Sequence, residues 1–172
     1  AIFGIGASWL EEEWVAAQLD FSTRGRRVDE CIAVCKRLWS EREVEHHGEF
    51  FSFDTVLFEP KPVQRPWPPI LVGGESVAAL RRAVTSGDGW VGITHTVESA
   101  AVQIEKLRTM LAEHGRTLDG FEIVFGGPVE SPAHAQQWAE LGVTRLIVSP
   151  WRRSTEAIAS LREFAEAFEI HP

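Results

Sequence analysis

The sequence predicts an α/β protein built on a parallel sheet, and three observations carry that reading. Five short apolar runs, Ala1–Gly6, Ile70–Val72, Trp90–Ile93, Phe121–Phe125 and Arg145–Pro150, are each followed by a stretch of helical hydrophobic period. Most of these runs end in Gly, Ser or Thr, the small residues that the carboxyl ends of strands carry where α/β folds bind ligands. With 172 residues and 44% apolar content, the chain is large enough for one α/β domain with a real core.

Taken in order, Ala1-Ile2-Phe3-Gly4-Ile5-Gly6 reads as a buried strand that leads into Ala7-Ser8-Trp9-Leu10 and the acidic run Glu11-Glu12-Glu13. Ser22-Thr23 is placed to cap a helix whose buried face is Val28, Cys31, Ile32, Cys35, Leu38 and Trp39, ending near Ser40. An insertion at about 43–69 follows. Its first part, Val44 to Phe53, turns a small hairpin at Gly48-Glu49 and continues as the extended Thr55-Val56-Leu57-Phe58. Adjacent His46 and His47 point to opposite faces of a strand, so they cannot readily share a metal and read as exposed hairpin residues. Its second part, Glu59 to Pro69, holds five prolines and forms a stiff, extended lead-in to Ile70. The PxxP match from Pro66 to Pro69 is formally an SH3 ligand, but a strand begins immediately after it.

Ile70-Leu71-Val72-Gly73-Gly74-Glu75-Ser76 is then a strand, a tight turn and the start of a helix over Val77 to Thr85. Glycines let the backbone approach a ligand, and the following helix offers unpaired N–H groups and a positive dipole end, so an anion such as phosphate has a place to dock. Residue by residue, a plain βα turn explains the same glycines. Gly87-Asp88-Gly89 supplies a C-cap and turn before the strand Trp90-Val91-Gly92-Ile93, whose end carries Thr94-His95-Thr96. His95 reads either as a group facing a site or as a surface loop histidine. Thr96 caps a helix with the stripe Ile104, Leu107 and Leu111, stopping near Gly115. The strand Phe121–Phe125 ends at Gly126-Gly127, and Ser131-Pro132 opens a helix that Leu141-Gly142 closes. After Arg145–Pro150, Ser154 is expected to cap a last helix buried through Ile158, Leu161, Phe164 and Phe168.

A formal charge of −8 argues against a nucleic-acid partner, because Arg24, Arg26 and Arg27 stand among Asp20, Asp29 and Glu30 and read as a solvated helix face. No uncharged apolar run approaches about 18 residues, so no membrane partner is expected. Cys31 and Cys35 lie one helical turn apart without nearby ligands, so they read as buried thiols of a reducing cytoplasm rather than a metal site or disulfide. A Rossmann fingerprint, a Walker lysine, a Gly-x-Ser-x-Gly elbow and a His-Glu-x-x-His motif are all missing from the sequence.

Several stretches together resemble the luciferase-like flavin and deazaflavin oxidoreductases. They are Gly4-Ile5-Gly6-Ala7-Ser8-Trp9-Leu10-Glu11-Glu12-Glu13, Asp20 through Glu30, Pro60-Lys61-Pro62-Val63-Gln64, Pro69 through Gly74, and Gly87-Asp88-Gly89-Trp90. The chain is most similar to the branch that uses coenzyme F420, with FMN as the alternative cofactor. The resemblance implies a partial (β/α)8 TIM barrel of about five parallel βα units, strands four to eight, with the first three units and about 100 residues absent in front. An apolar strand at the first residue, with no initiator Met, agrees with a chain cut from something longer.

The resemblance also implies a hydride transfer between the cofactor and a small organic substrate. It places the backbone of Gly73, Gly74, Glu75 and Ser76 against a cofactor phosphate and lines the cofactor's side with Ala7, Ser8, Trp9 and Glu12, Ser8 standing where glycine is common. The family's substrate-acting residues lie in the missing units, so no catalytic residue is assigned here. An open sheet with two bare edges leads to the further expectations of a homo-oligomer or of a non-catalytic half barrel.

Overall fold

A computed structural model describes residues 1–170 of the chain. The fold is α/β with a parallel five-stranded sheet. Its strands are β1 (Phe3–Gly6), β4 (Ile70–Gly73), β5 (Gly89–Thr94), β6 (Glu122–Gly126) and β7 (Arg145–Ile147), hydrogen-bonded in the order β1-β4-β5-β6-β7. A separate antiparallel hairpin joins β2 (Val44–His47) to β3 (Ser52–Val56). Two compact units are distinguished, Ala1–Trp90 and the remainder from Val91.

In the first unit, α1 (Glu11–Ala16) is a short helix with three acids in its first turn, where negative charge meets the positive dipole end. The next helix, α2 (Arg24–Ser40), buries Val28, Ile32 and Val34. A 3-10 turn over Phe21–Thr23 precedes it, and Asp20 rather than Ser22 or Thr23 caps that turn, accepting from the Ser22 N–H at 2.8 Å. Helix α3 (Val77–Ser86) buries Ala79, Leu80, Ala83 and Val84. A buried guanidinium ties it to α2: Arg82 donates to Asp29 at 2.5 Å and to the Gly25 carbonyl at 3.0 Å. β4 is buried throughout its apolar length, and Asp88 fixes where it starts, its backbone N–H donating to the Ile70 carbonyl at 2.7 Å and its carboxylate accepting from the Ile70 N–H at 2.9 Å.

The insertion is held to α2 by polar contacts that local sequence patterns do not announce. Glu30 accepts from the backbone N–H groups of Phe50 and Phe51 at 2.9 and 3.0 Å and pairs with His46 at 2.8 Å. His46 is therefore shielded, with 19% of its side chain exposed, and only His47 is the exposed hairpin histidine that was expected. Arg26 is exposed as expected, whereas Arg27 is half-buried over the Phe50 ring. In the proline-rich segment, with cis bonds at Glu59-Pro60 and Arg65-Pro66, Lys61 donates to the Leu38 and Glu41 carbonyls and so satisfies the end of α2. Cys31 and Cys35 are free thiols and only partly buried.

The second unit contains α4 (Val97–Glu113), α5 (Pro132–Glu140) and α6 (Ala157–Ala167). Thr96 and Ser99 form a reciprocal capping box at the start of α4, whose Ala100, Ile104, Leu107 and Leu111 are buried. Ser131 and Pro132 open α5 in the expected order. Ile123, Val124 and Phe125 of β6 are buried, and Phe125 packs on Trp138 with ring centroids 5.6 Å apart. The last helix differs from expectation on two points. Ser154 begins a 3-10 turn (Ser154–Glu156), so Glu156 rather than Ser154 occupies the N-cap of α6, without a side-chain cap bond. No α6 residue is buried: Ile158 is 70% and Leu161 44% exposed, while Phe164 and Phe168 are half-buried and stack on each other at 4.2 Å. The apolar stripe is present, but the described residues do not cover it.

Candidate functional site

Parallel pairing of β1 with β4 sets Gly6 directly opposite Gly73, so the loops after these strands leave the sheet at one level. The expected residues Ala7, Ser8, Trp9 and Glu12 on one loop, and Gly73, Gly74, Glu75 and Ser76 on the other, are thereby carried by neighbouring strand ends. A Cβ on Gly6 would lie 3.6 Å from the Gly73 carbonyl oxygen, an ordinary contact, so the two glycines keep this edge open rather than relieve a clash.

The turn after β4 is fixed from below. The indole Nε1 of fully buried Trp90 donates to the Gly74 carbonyl oxygen at 2.7 Å. Because the peptide unit is planar and trans, the Glu75 N–H of the same unit points away from that indole. Gly74 has φ +123°, a conformation that L side chains rarely adopt, and a Cβ there would sit 3.0 Å from the Ala79 Cβ. Ser76 caps α3, its Oγ accepting from the Ala79 N–H at 3.2 Å, and its carbonyl accepts from the Leu80 N–H at 3.0 Å. The Val77 and Ala78 N–H groups remain as first-turn donors that the helix cannot use internally. Sequence reasoning stopped at Ser76 and missed these two, although their place one turn before the apolar stripe is the signal that finds them. No acidic residue lies in the first turn of α3, Ser76, Val77 and Ala78 are exposed, and the Glu75 Oε2 atom is shielded from solvent. An anionic group thus fits the backbone donors of this turn.

On the opposing loop, Ala7 is half-buried, Ser8 and Glu12 are exposed, and Trp9 is 84% exposed. Ser8 has φ +58°, which explains in physical terms why glycine suits this position. Its Oγ accepts from the Leu10 N–H and donates to Glu13, both at 3.4 Å. The bare indole of Trp9 offers a flat apolar surface at the end of β1. His95, at the end of β5, has its Nδ1 3.0 Å from the Ser99 hydroxyl and packs edge-on against Phe125 at 5.0 Å.

A glycine turn and an accessible helix start at the strand ends of a parallel α/β sheet stand at the carboxyl edge, where open α/β sheets place their ligands. The comparisons with known proteins are more specific. The luciferase-like monooxygenase family model matches residues 1–156, and the chain belongs to that family. An uncharacterized protein of Mycobacterium tuberculosis is 34% identical over 129 residues, covering 70% of this chain and 44% of that protein. The FMNH(2)-dependent dimethylsulfone monooxygenase of Pseudomonas putida is 32% identical over 114 residues, covering 66% of this chain and 29% of that protein. Among solved structures, an F420-dependent secondary alcohol dehydrogenase in complex with an F420-acetone adduct superposes with a TM-score of 0.70 at 13% identity, covering 96% of this chain and 68% of that one. The monooxygenase RslO1 from Streptomyces bottropensis gives 0.62 at 23% identity, covering 96% and 50%. The chain thus spans less than half the length of these two sequence relatives. The family's members are oxidoreductases and monooxygenases, and the two structural likenesses show the fold.

Proposed function

We propose that this chain forms the phosphate end of a cofactor site in a luciferase-like oxidoreductase that transfers a hydride between coenzyme F420 and a small organic substrate. The observation that carries the reading is the Gly6–Gly73 register, which brings the loop of Ala7, Ser8, Trp9 and Glu12 beside the backbone donors of Gly73, Gly74, Glu75 and Ser76. In this reading the five strands are the fourth to the eighth of a (β/α)8 barrel, in one α/β domain with the hairpin and proline insertion at about 43–69. The turn after β4 and the first turn of α3 bind the phosphate through N–H groups, while Trp9 and Ala7 shield one side of the cofactor from water. The deazaflavin supplies the hydride chemistry when bound. This chain's residues supply binding and orientation.

A second cofactor assignment, FMN in a monooxygenase, is favoured by the 32% identity to the FMNH(2)-dependent dimethylsulfone monooxygenase, and the same turn serves either phosphate. A third reading, a half barrel that binds a phosphate-bearing ligand or self-associates without turnover, is favoured by Ile147, Ile158 and Leu161, which are 57%, 70% and 44% exposed. We propose a homo-oligomer for the chain on the same ground, and a cytoplasmic protein on the ground of its two free thiols. Among the described residues no helix is long and apolar enough to cross a membrane.

The deciding experiment titrates coenzyme F420 and FMN separately into the chain by calorimetry, with Gly74→Ala as the control that closes the turn. Saturable F420 binding weakened by the control supports the first reading, and FMN binding alone moves the assignment to the second. Binding of neither cofactor overturns both. Light scattering tests the oligomer, and a monomer at micromolar concentration rejects it.

A further inference from the structure

A second concavity lies wholly within the second unit, among residues 127–164, and no residue of the proposed cofactor site belongs to it. It encloses about 340 Å3 where the chain leaves β6 and β7, a size within the range of small-molecule sites. Its apolar wall is formed by Val129, Val148, Trp151 and Phe164, all half-buried, and the exposed Ser149 adds a polar group to the lining. Phe164 is braced from behind by its stack on Phe168, and Trp151 offers an indole to a ligand's apolar body. Two exposed charges of opposite sign, Glu130 and Arg152, complete the lining. The backbone under Glu130 is held by its N–H, which donates to His134 Nδ1 at 3.4 Å. Among the described residues neither the Glu130 carboxylate nor the Arg152 guanidinium has a hydrogen-bond or ion-pair partner.

A cavity with an apolar wall, one unspent anion and one unspent cation is complementary to a ligand that carries both signs. A neutral ligand uses neither charge. A simple anion is drawn by Arg152 but repelled by Glu130, and a simple cation meets the reverse. We propose that this cavity binds a small zwitterion with an apolar body, of the α-amino acid type. The ligand's carboxylate meets the Arg152 fork, its ammonium meets Glu130, and its body lies against Trp151 and Phe164.

The test is an NMR titration of the nitrogen-15-labelled chain with three probes of one shape: L-phenylalanine, 3-phenylpropanoate and phenethylamine. The Trp151 indole N–H signal, assigned by its loss in Trp151→Phe, reports occupancy. L-Phenylalanine is expected to move that signal saturably and to bind about fivefold more tightly than either singly charged probe, the upper range for one exposed charge pair. Arg152→Gln should weaken L-phenylalanine about fivefold and leave phenethylamine unchanged, and Glu130→Gln should weaken it similarly and leave 3-phenylpropanoate no weaker. Both side chains are exposed, so these variants keep the fold, which an unchanged thermal midpoint verifies. Equal binding of the three probes, no movement of the Trp151 signal, or an unchanged L-phenylalanine affinity in either variant overturns the proposal. Since none of these residues contributes to the proposed cofactor site, loss of F420 or FMN binding leaves this outcome unaffected.

Discussion

Trp90, fully buried at the start of β5, holds the Gly74 carbonyl oxygen through a 2.7 Å hydrogen bond from its indole. One residue thereby couples the core of the first unit to the orientation of the turn after β4. Trp90→Phe keeps most of the apolar volume but removes the only side-chain donor that an indole has, leaving that carbonyl without it. The variant should lose about 1–3 kcal/mol of stability. Urea denaturation measures the loss, and phosphate-ligand affinity should fall with it, since the Glu75 N–H is no longer aimed.

Gly74 carries φ +123°, and an added methyl would crowd the Ala79 Cβ at 3.0 Å. Gly74→Ala should therefore cost about 1–3 kcal/mol, mainly through backbone strain. Gly73→Ala, at a position where no positive φ is recorded, is the comparison that separates strain from simple loss of flexibility. Equal midpoints for the two variants in a thermal melt would rule out strain as the cause.

Acid should release the hairpin from α2. Burial pushes the Glu30 carboxyl up, but the hydrogen bonds from His46 and from the Phe51 and Phe50 N–H groups outweigh it and hold the group below its ordinary value of 4.5. A folded-state value below the unfolded one means that the stabilisation is full above about 4.5 and is lost as pH falls through the lowered value. Glu30→Gln should be less stable at neutral pH and should lack this acid-dependent step. Stability profiles between pH 3 and pH 7 for the two proteins should converge at the acid end, and parallel profiles would remove Glu30 from the account.

The thiol of Cys35 should resist alkylation in the folded chain. Burial, with the neighbouring Cys31 adding to it, pushes this thiol up to about 12, far from the thiolate form that reacts. Iodoacetamide at pH 8, followed by peptide mass analysis, should label Cys35 only in denaturant.

The features legible in the sequence were those that local chemistry dictates. The Thr96 cap, the Ser131-Pro132 helix start and the break at Gly73-Gly74 each encode their conformation within a few residues, and each was found where expected. Contacts between distant positions were not legible. Nothing near Glu30 announces that its carboxylate collects His46, Phe50 and Phe51, 16 to 21 residues away, or that Trp90 reaches back to Gly74. Periodicity likewise showed that α6 has an apolar stripe, but a stripe does not say whether anything covers it. At the candidate site, the sequence located both loops. The left-handed backbone of Ser8 emerged only with the three-dimensional turn.

The Gly6–Gly73 alignment also bears on how the family can diversify. The hairpin and the proline-rich segment between those glycines are a detour that returns the chain to the same height on an adjacent strand. Insertions and deletions in that detour leave the spacing between Ser8 and Gly74 untouched. The β2–β3 hairpin can therefore change in length while the two loops keep a common datum.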